Sequence, residues 1–288
     1  MRRFTILPLG AAVLMVVSTA AQPTGPIDVR GILARVGEQV EQYFARAQSV
    51  VCQETVRLTP LSYDLAFDGS HQRQLVYELR IAWEAPLGSD EPPDIKVLRE
   101  IVTIDGRKPR PKDEPGCLDP KPVSPEPLAM LLPGRQREYV FTYAGLGKAD
   151  DRPAVMLDYR SREKGKIDVT RSKDCISVEL PGYTAGRVWL DQGTGEVLRL
   201  DERLTGMVDF EVPPEKPRGR REGTMTLERA DSSIRYKKVA FTEPDETLLL
   251  PASIESLTIF RSGGTPRVRR SQVFSNYRRF VTGGRIVQ

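Results

Sequence analysis

The stretch "GRVWLDQGTGEVLRLDERL", residues 186–204, decides how the chain is read. Val188 and Leu190 alternate with Arg187 and Trp189, "DQGTGE" turns the chain, and "VLRLDERL" alternates again on the way back. A period of two marks a strand with one buried and one wet face, and a Gly-rich turn between two such runs makes a hairpin. The same period recurs in "QLVYELRIAWE", residues 74–84, where Leu75, Tyr77, Leu79, Ile81 and Trp83 share one face and Glu78, Arg80 and Glu84 the other. Further strands are expected at 52–58, 96–104, 138–144, 153–160, 186–191, 196–204, 206–212, 223–229, 233–241, 252–260 and 267–277.

Two segments break that period. Ile32, Leu33, Val36, Val40, Tyr43, Phe44 and Ala47 recur at spacings of three and four, the apolar stripe of a helix with Asp28 placed to cap it. "SPEPLAMLL" predicts a short helix over 125–132, capped by Ser124 with Pro125 as first residue, and it presents Leu128, Met130, Leu131 and Leu132. Pro-rich connections fall at 85–94, 105–127 and 213–222, and residues 161–174 read as a further polar interruption. The second of these holds seven prolines, which remove amide donors and keep it out of a sheet interior. The fold class expected is mainly β with a few helices: one antiparallel domain over 22–288 with about eleven strands.

Residues 1–21 read as a secretory signal peptide: Arg2 and Arg3, an apolar run from Phe4 to Val17, then small residues up to Ala21. The run is shorter than the roughly 20 residues of a membrane span. A periplasmic or secreted protein is expected, cut near Ala21. Losing Arg2 and Arg3 takes the formal charge from +4 to +2, too little for a nucleic-acid partner. The clusters Arg218/Arg220/Arg221 and Arg267/Arg269/Arg270 read as solvated faces.

Three cysteines in an exported chain allow one disulfide. Cys52, beside Val50 and Val51, reads as a small buried hydrophobe. That leaves Cys117 and Cys175 as the favoured pair, although spacing alone does not fix connectivity. A lone histidine, His71, excludes histidine-rich zinc sites, and "FDGSHQRQL" places it in a turn rather than a triad. "GLGK", 145–148, lacks the first glycine and the final Ser or Thr of a phosphate loop. The acidic pairs Asp150/Asp151 and Asp245/Glu246 sit in loops and read as solvent-facing. No catalytic residue, cofactor or metal is expected.

The pattern G-x-V-W-L-D…T-G…L-R-L-D-E from Gly186 resembles a hairpin of the LolA/LolB/RseB superfamily of bacterial envelope proteins, as does the closing "LPASIESLTIF…VRRSQVFSNYRRF". The resemblance implies an open half-barrel of antiparallel strands wrapped around helices, whose apolar cavity holds acyl chains or lipidated partners, with a helix-bearing loop over its mouth. Leu75, Tyr77, Leu79, Ile81, Trp83, Tyr139, Phe141 and Tyr143, with Leu128 and Met130 from the covering helix, would then line the cavity. The alternative is that these residues simply pack against the first helix. The function expected is a monomeric, non-enzymatic envelope protein binding an apolar ligand or a lipoprotein. A protein-interaction or scaffold module without a small ligand, a hydrolase using His71 or a carboxylate pair, and an outer-membrane barrel are the alternatives.

Overall fold

The computed structural model describes residues 27–46, 50–84, 94–110, 113, 126–172, 175–213, 223–261 and 267–279. The expected signal peptide, Ala47, Cys117, Ser124, Pro125, the cluster at 218–221 and the connections at 85–93 and 214–222 lie outside them, and so do the side chains of Ile81 and Trp83.

Helix α1, Val29–Arg46, starts where Asp28 caps it: the Gly31 amide donates to Asp28 Oδ1 at 3.0 Å. Val36, Val40 and Phe44 form its buried stripe. The sheet begins with β1 (Val50–Leu61), β2 (Arg73–Glu84) and β3 (Asp94–Ile104). Helix α2 follows, only Glu126–Ala129, shorter than the 125–132 expected. Pro133 disfavours helical geometry at Leu132, so the chain leaves by turns, Leu131 N–H to Leu128 C=O and Leu132 N–H to Ala129 C=O.

Next come β4 (Tyr139–Ala149), β5 (Arg152–Ser161), β6 (Asp168–Ser172), β7 (Cys175–Glu179), β8 (Thr184–Asp191), β9 (Val197–Leu204) and β10 (Val208–Glu211). The chain finishes with β11 (Thr224–Thr242), β12 (Asp245–Arg261) and β13 (Arg267–Arg279). Two expectations are corrected here. The runs at 223–229 and 233–241 are one strand, because the polar residues between them are held on both sides: Asp231 and Ser232 pair with Arg203 and Glu202 of β9 and with Leu257 and Ser256 of β12. The interruption at 161–174 contains β6, which pairs with β7 as a separate hairpin. Val169, Ile176 and Val178 pack it against Phe210, Val212 and Leu227.

The main sheet has eleven strands, all antiparallel, in the order β3-β2-β1-β13-β12-β11-β9-β8-β5-β4, with β10 beside β11. Its two ends, β3 and β4, do not pair with each other, so the barrel is open. One register row crosses all ten strands of the path: Tyr143, Leu157, Val188, Leu200, Ile234, Ile254, Gln272, Val56, Leu75, Ile104. All but Gln272 are apolar, and this is the inner face. One residue along, and therefore on the outer face, runs Thr142, Asp158, Arg187, Asp201, Ser233, Glu255, Ser271, Arg57, Gln74, without an apolar member. Apolar inside and charged outside is the reverse of a lipid-facing barrel. No described helix is long and apolar enough to cross a membrane.

Candidate functional site

The inner face is covered by α1 and the segment that follows α2. Val36, Val40 and Phe44 of α1 and Leu128, Ala129, Met130 and Leu131 form one buried cluster with Leu157, Val188, Leu200, Ile234 and Tyr236 of the sheet. The two covering pieces are fastened to each other. Gln136 Nε2 donates to Leu33 C=O of α1 at 2.9 Å and to Leu131 C=O at 2.7 Å. Gly37 costs α1 about 1 kcal/mol of helix propensity. A Cβ there would lie 3.0 Å from both Gln136 Nε2 and Pro133 Cγ, so the glycine is what lets the pieces touch.

The opening stretch builds the floor. A Cβ on Gly186 would lie 2.6 Å from the Tyr159 ring and 2.1 Å from the Asp201 carbonyl oxygen. The bare glycine is therefore the place where the Tyr159 ring crosses β8. From there the Tyr159 hydroxyl donates to Glu202 Oε2 at 3.1 Å. Burial raises the Glu202 carboxyl above its usual range, against hydrogen bonds from Tyr159 and Thr184 that pull it down. Burial raises the Tyr159 hydroxyl as well. Tyr139 and Phe141 of the edge strand β4 stand 6.4 Å from the Tyr159 ring. A void of about 70 Å³ lies between the second half of α1 and the sheet, lined by Gln39, Tyr43, Leu128, Val197, Tyr236 and Leu249.

Apart from Ile81 and Trp83, the residues singled out in the sequence lie on or against the inner face but fall into three packing groups. Tyr139, Phe141 and Tyr143, half-buried, pack on the cluster that contains Leu128 and Met130. Leu75 and Tyr77 belong to a second group with Val56, Leu58, Ile104 and Val268. Leu79 belongs to a third, with Cys52, Phe274, Leu248 and Leu250. Leu128 and Met130 are buried, so in this state they fill the inner face instead of bounding an empty cavity. Ile81 and Trp83 are placed on β2 by register alone.

A buried ionic group went unpredicted. Glu54, fully buried, accepts from Arg99 Nε at 2.8 Å and Nη2 at 3.1 Å and from Gln272 Nε2 at 2.7 Å. The Arg99 guanidinium lies 3.7 Å above the Tyr77 ring centre. The signal was present: in "VVCQETV" Glu54 occupies the same phase as Val50, Cys52 and Val56, a charge where the pattern demands an apolar residue.

Nothing described gathers into a reaction centre. His71, with its side chain 76% exposed, faces Asp105 at 3.4 Å in an open turn. Cys52 is free and buried, and burial pushes its thiol up to about 12, which keeps it from being a nucleophile. Asp150 accepts from Arg235 at 2.5 Å. Asp245 and Glu246 begin strand β12 and do not sit in a loop, and Glu246 holds Arg46 of α1 at 3.3 Å and Arg279 of β13 at 2.7 Å. Among the described residues no group of His, Cys, Asp and Glu is placed to hold a metal.

Trp189 faces outward, with the Arg199 guanidinium 4.7 Å and that of Arg187 5.9 Å from its ring. It lines a groove of about 950 Å³ on the outer face, together with side chains from β5, β8, β9, β11, β12 and β13.

No protein-family profile matches the sequence, and no curated protein matches it. Among solved structures, the chain is similar to a LolA superfamily protein, NE2245, from Nitrosomonas europaea, at 10% identity over 89% of this chain and 95% of that chain, TM-score 0.36. It is similar to a DUF1329 family protein from Desulfovibrio piger at 10% identity over 88% and 94%, TM-score 0.43. A chain of the Pseudomonas aeruginosa MucA/MucB complex shares 12% identity over 85% and 99%, TM-score 0.22. Likenesses of this degree concern the fold and say nothing of a ligand.

Proposed function

We propose that this is an exported, non-enzymatic binding protein of the cell envelope that takes an apolar chain, free or attached to a protein, between the half-barrel and its covering helix. The observation that carries this reading is the ten-strand apolar row on a sheet that stays open, closed over only by α1 and the short segment fastened to it. Ligand cavities run to roughly 300–1,000 Å³, far beyond the 70 Å³ void beside α1. Binding therefore requires Leu128–Leu132 to give way, their apolar side chains standing in for the ligand until it arrives. Tyr139, Phe141 and Tyr143, half-buried at the open edge, are the first surface an incoming chain would meet.

Extraction of the purified protein with organic solvent, followed by mass spectrometry, should recover acyl material. A fluorescent acyl probe should bind the extracted protein and be displaced by fatty acid. Repeated recovery of no lipid, together with no binding of the probe, would sink the reading and leave a protein-interaction module without a small ligand.

A further inference from the structure

We propose that the outer groove is a second binding site, independent of the inner face, and that it takes an extended acidic peptide segment. Five arginines line it: Arg160, Arg187, Arg203, Arg229 and Arg269. Most of the carboxylates on that face are already committed. Asp158 holds Arg187 at 2.6 and 3.0 Å, and Asp231 holds Arg229 at 2.5 Å. Asp201 accepts from Arg199 at 2.8 Å through both oxygens and from the Ser233 hydroxyl at 2.6 Å. Arg160, Arg203 and Arg269 are exposed and make no ion pair among the described residues. The exposed Glu255 on the neighbouring row and the half-buried Glu202, which accepts from Tyr159, leave two carboxylates against these three arginines.

The three lie on one register row, Arg160–Ala185–Arg203–Asp231–Leu257–Arg269. Strands are ~4.8 Å apart, so Arg203 stands about 10 Å from Arg160 and about 14 Å from Arg269. An extended chain advances ~3.3 Å per residue, so carboxylates at i, i+3 and i+7 meet the three guanidiniums in turn. Ala185 leaves room between the first two; between the second pair stand Asp231, held by Arg229, and the buried Leu257. A lone phosphate spans none of these intervals, and a planar membrane surface fits a concave groove poorly.

The test is fluorescence anisotropy on the full chain. The probe is a labelled peptide of about twelve residues with glutamate at i, i+3 and i+7 in a Ser/Gly background. It should bind saturably and weaken with salt. Arg160→Gln, Arg203→Gln and Arg269→Gln should each weaken it about two- to fivefold, and the triple variant more than tenfold. Arg235→Gln, whose native guanidinium holds Asp150 outside the groove, should change nothing. Because all these side chains are exposed, urea midpoints should stay at the wild-type value, and acyl-probe binding should be untouched. Equal binding of a peptide with its three glutamates adjacent would overturn the register argument. Wild-type affinity in the triple variant would overturn the site. Anionic-lipid vesicles or polygalacturonate binding where the peptide does not would assign the face to another class of partner and overturn the proposal.

Discussion

At the scale of single residues, three positions carry more than their composition suggests. Gly186 is one. Gly186→Ala would press a methyl into the Asp201 carbonyl, a backbone atom that cannot rotate away, as well as into Tyr159. We expect a loss of about 2–3 kcal/mol in urea unfolding, near the top of the overpacking range. Glu202 is the second. Its folded pKa lies above its unfolded value, so between the two the native state binds the extra proton. The stability linked to this group is complete below the unfolded value and is lost as pH rises through the folded one. Glu202→Gln should therefore gain on the wild type as pH goes from about 4 to about 8, read as a difference in urea midpoints. A constant difference across that range would show that the carboxyl titrates normally. The third is Arg99. Arg99→Met should cost about 3–5 kcal/mol, because Glu54 keeps its burial and loses its bidentate partner, whereas adding Glu54→Gln should recover much of the loss.

Elements were legible wherever period two ran cleanly. The β8–β9 hairpin and β2 stand where alternation placed them, and Asp28 caps α1 as its residue type suggested. What was not legible depended on neighbours distant in sequence. Nothing local in "RADSS" says that two flanking ladders will hold it in a 19-residue strand. The β6–β7 hairpin was hidden by its polar residues, although Ile167, Val169, Ile176 and Val178 alternate. The covering segment was expected as a helix over 125–132, and it is a four-residue helix followed by turns and tied to α1 through Gln136. Gln136→Ala leaves Leu33 and Leu131 carbonyls without that donor and should cost about 1–3 kcal/mol. Limited proteolysis should then cut faster within 126–138 while the sheet persists. Cys52 is free and buried, and pairing of Cys117 with Cys175 is our proposal. If that bridge anchors the Pro-rich segment, reduction should expose the segment to protease and weaken acyl-probe binding. A peptide map that joins either cysteine to Cys52 would refute it.

For the whole molecule, the class of fold followed from alternation, since faces of opposite polarity on every strand leave few arrangements besides a sheet curled over helices. Which strands are neighbours did not follow, and one adjacency matters most. β1 lies between β2 and β13, so the first strand of the sheet rests against the last, and the two halves of the path, β3-β2-β1 and β12 through β4, are joined only there. The consequence is one of timing. Each half can assemble its hairpins from nearby partners, but the seam between them closes only after Arg267–Arg279 has been delivered, the full length of the domain away from Val50. Sequence separation of this kind slows folding, because the loop between the partners must be ordered before its contacts repay the cost. A chain passing through a translocation channel would hold its two half-sheets apart until its final strand emerged, and a truncation ending before Arg267 should stay in that divided state, with β1–β3 exchanging amide protons far faster than the hairpins of β8 and β9.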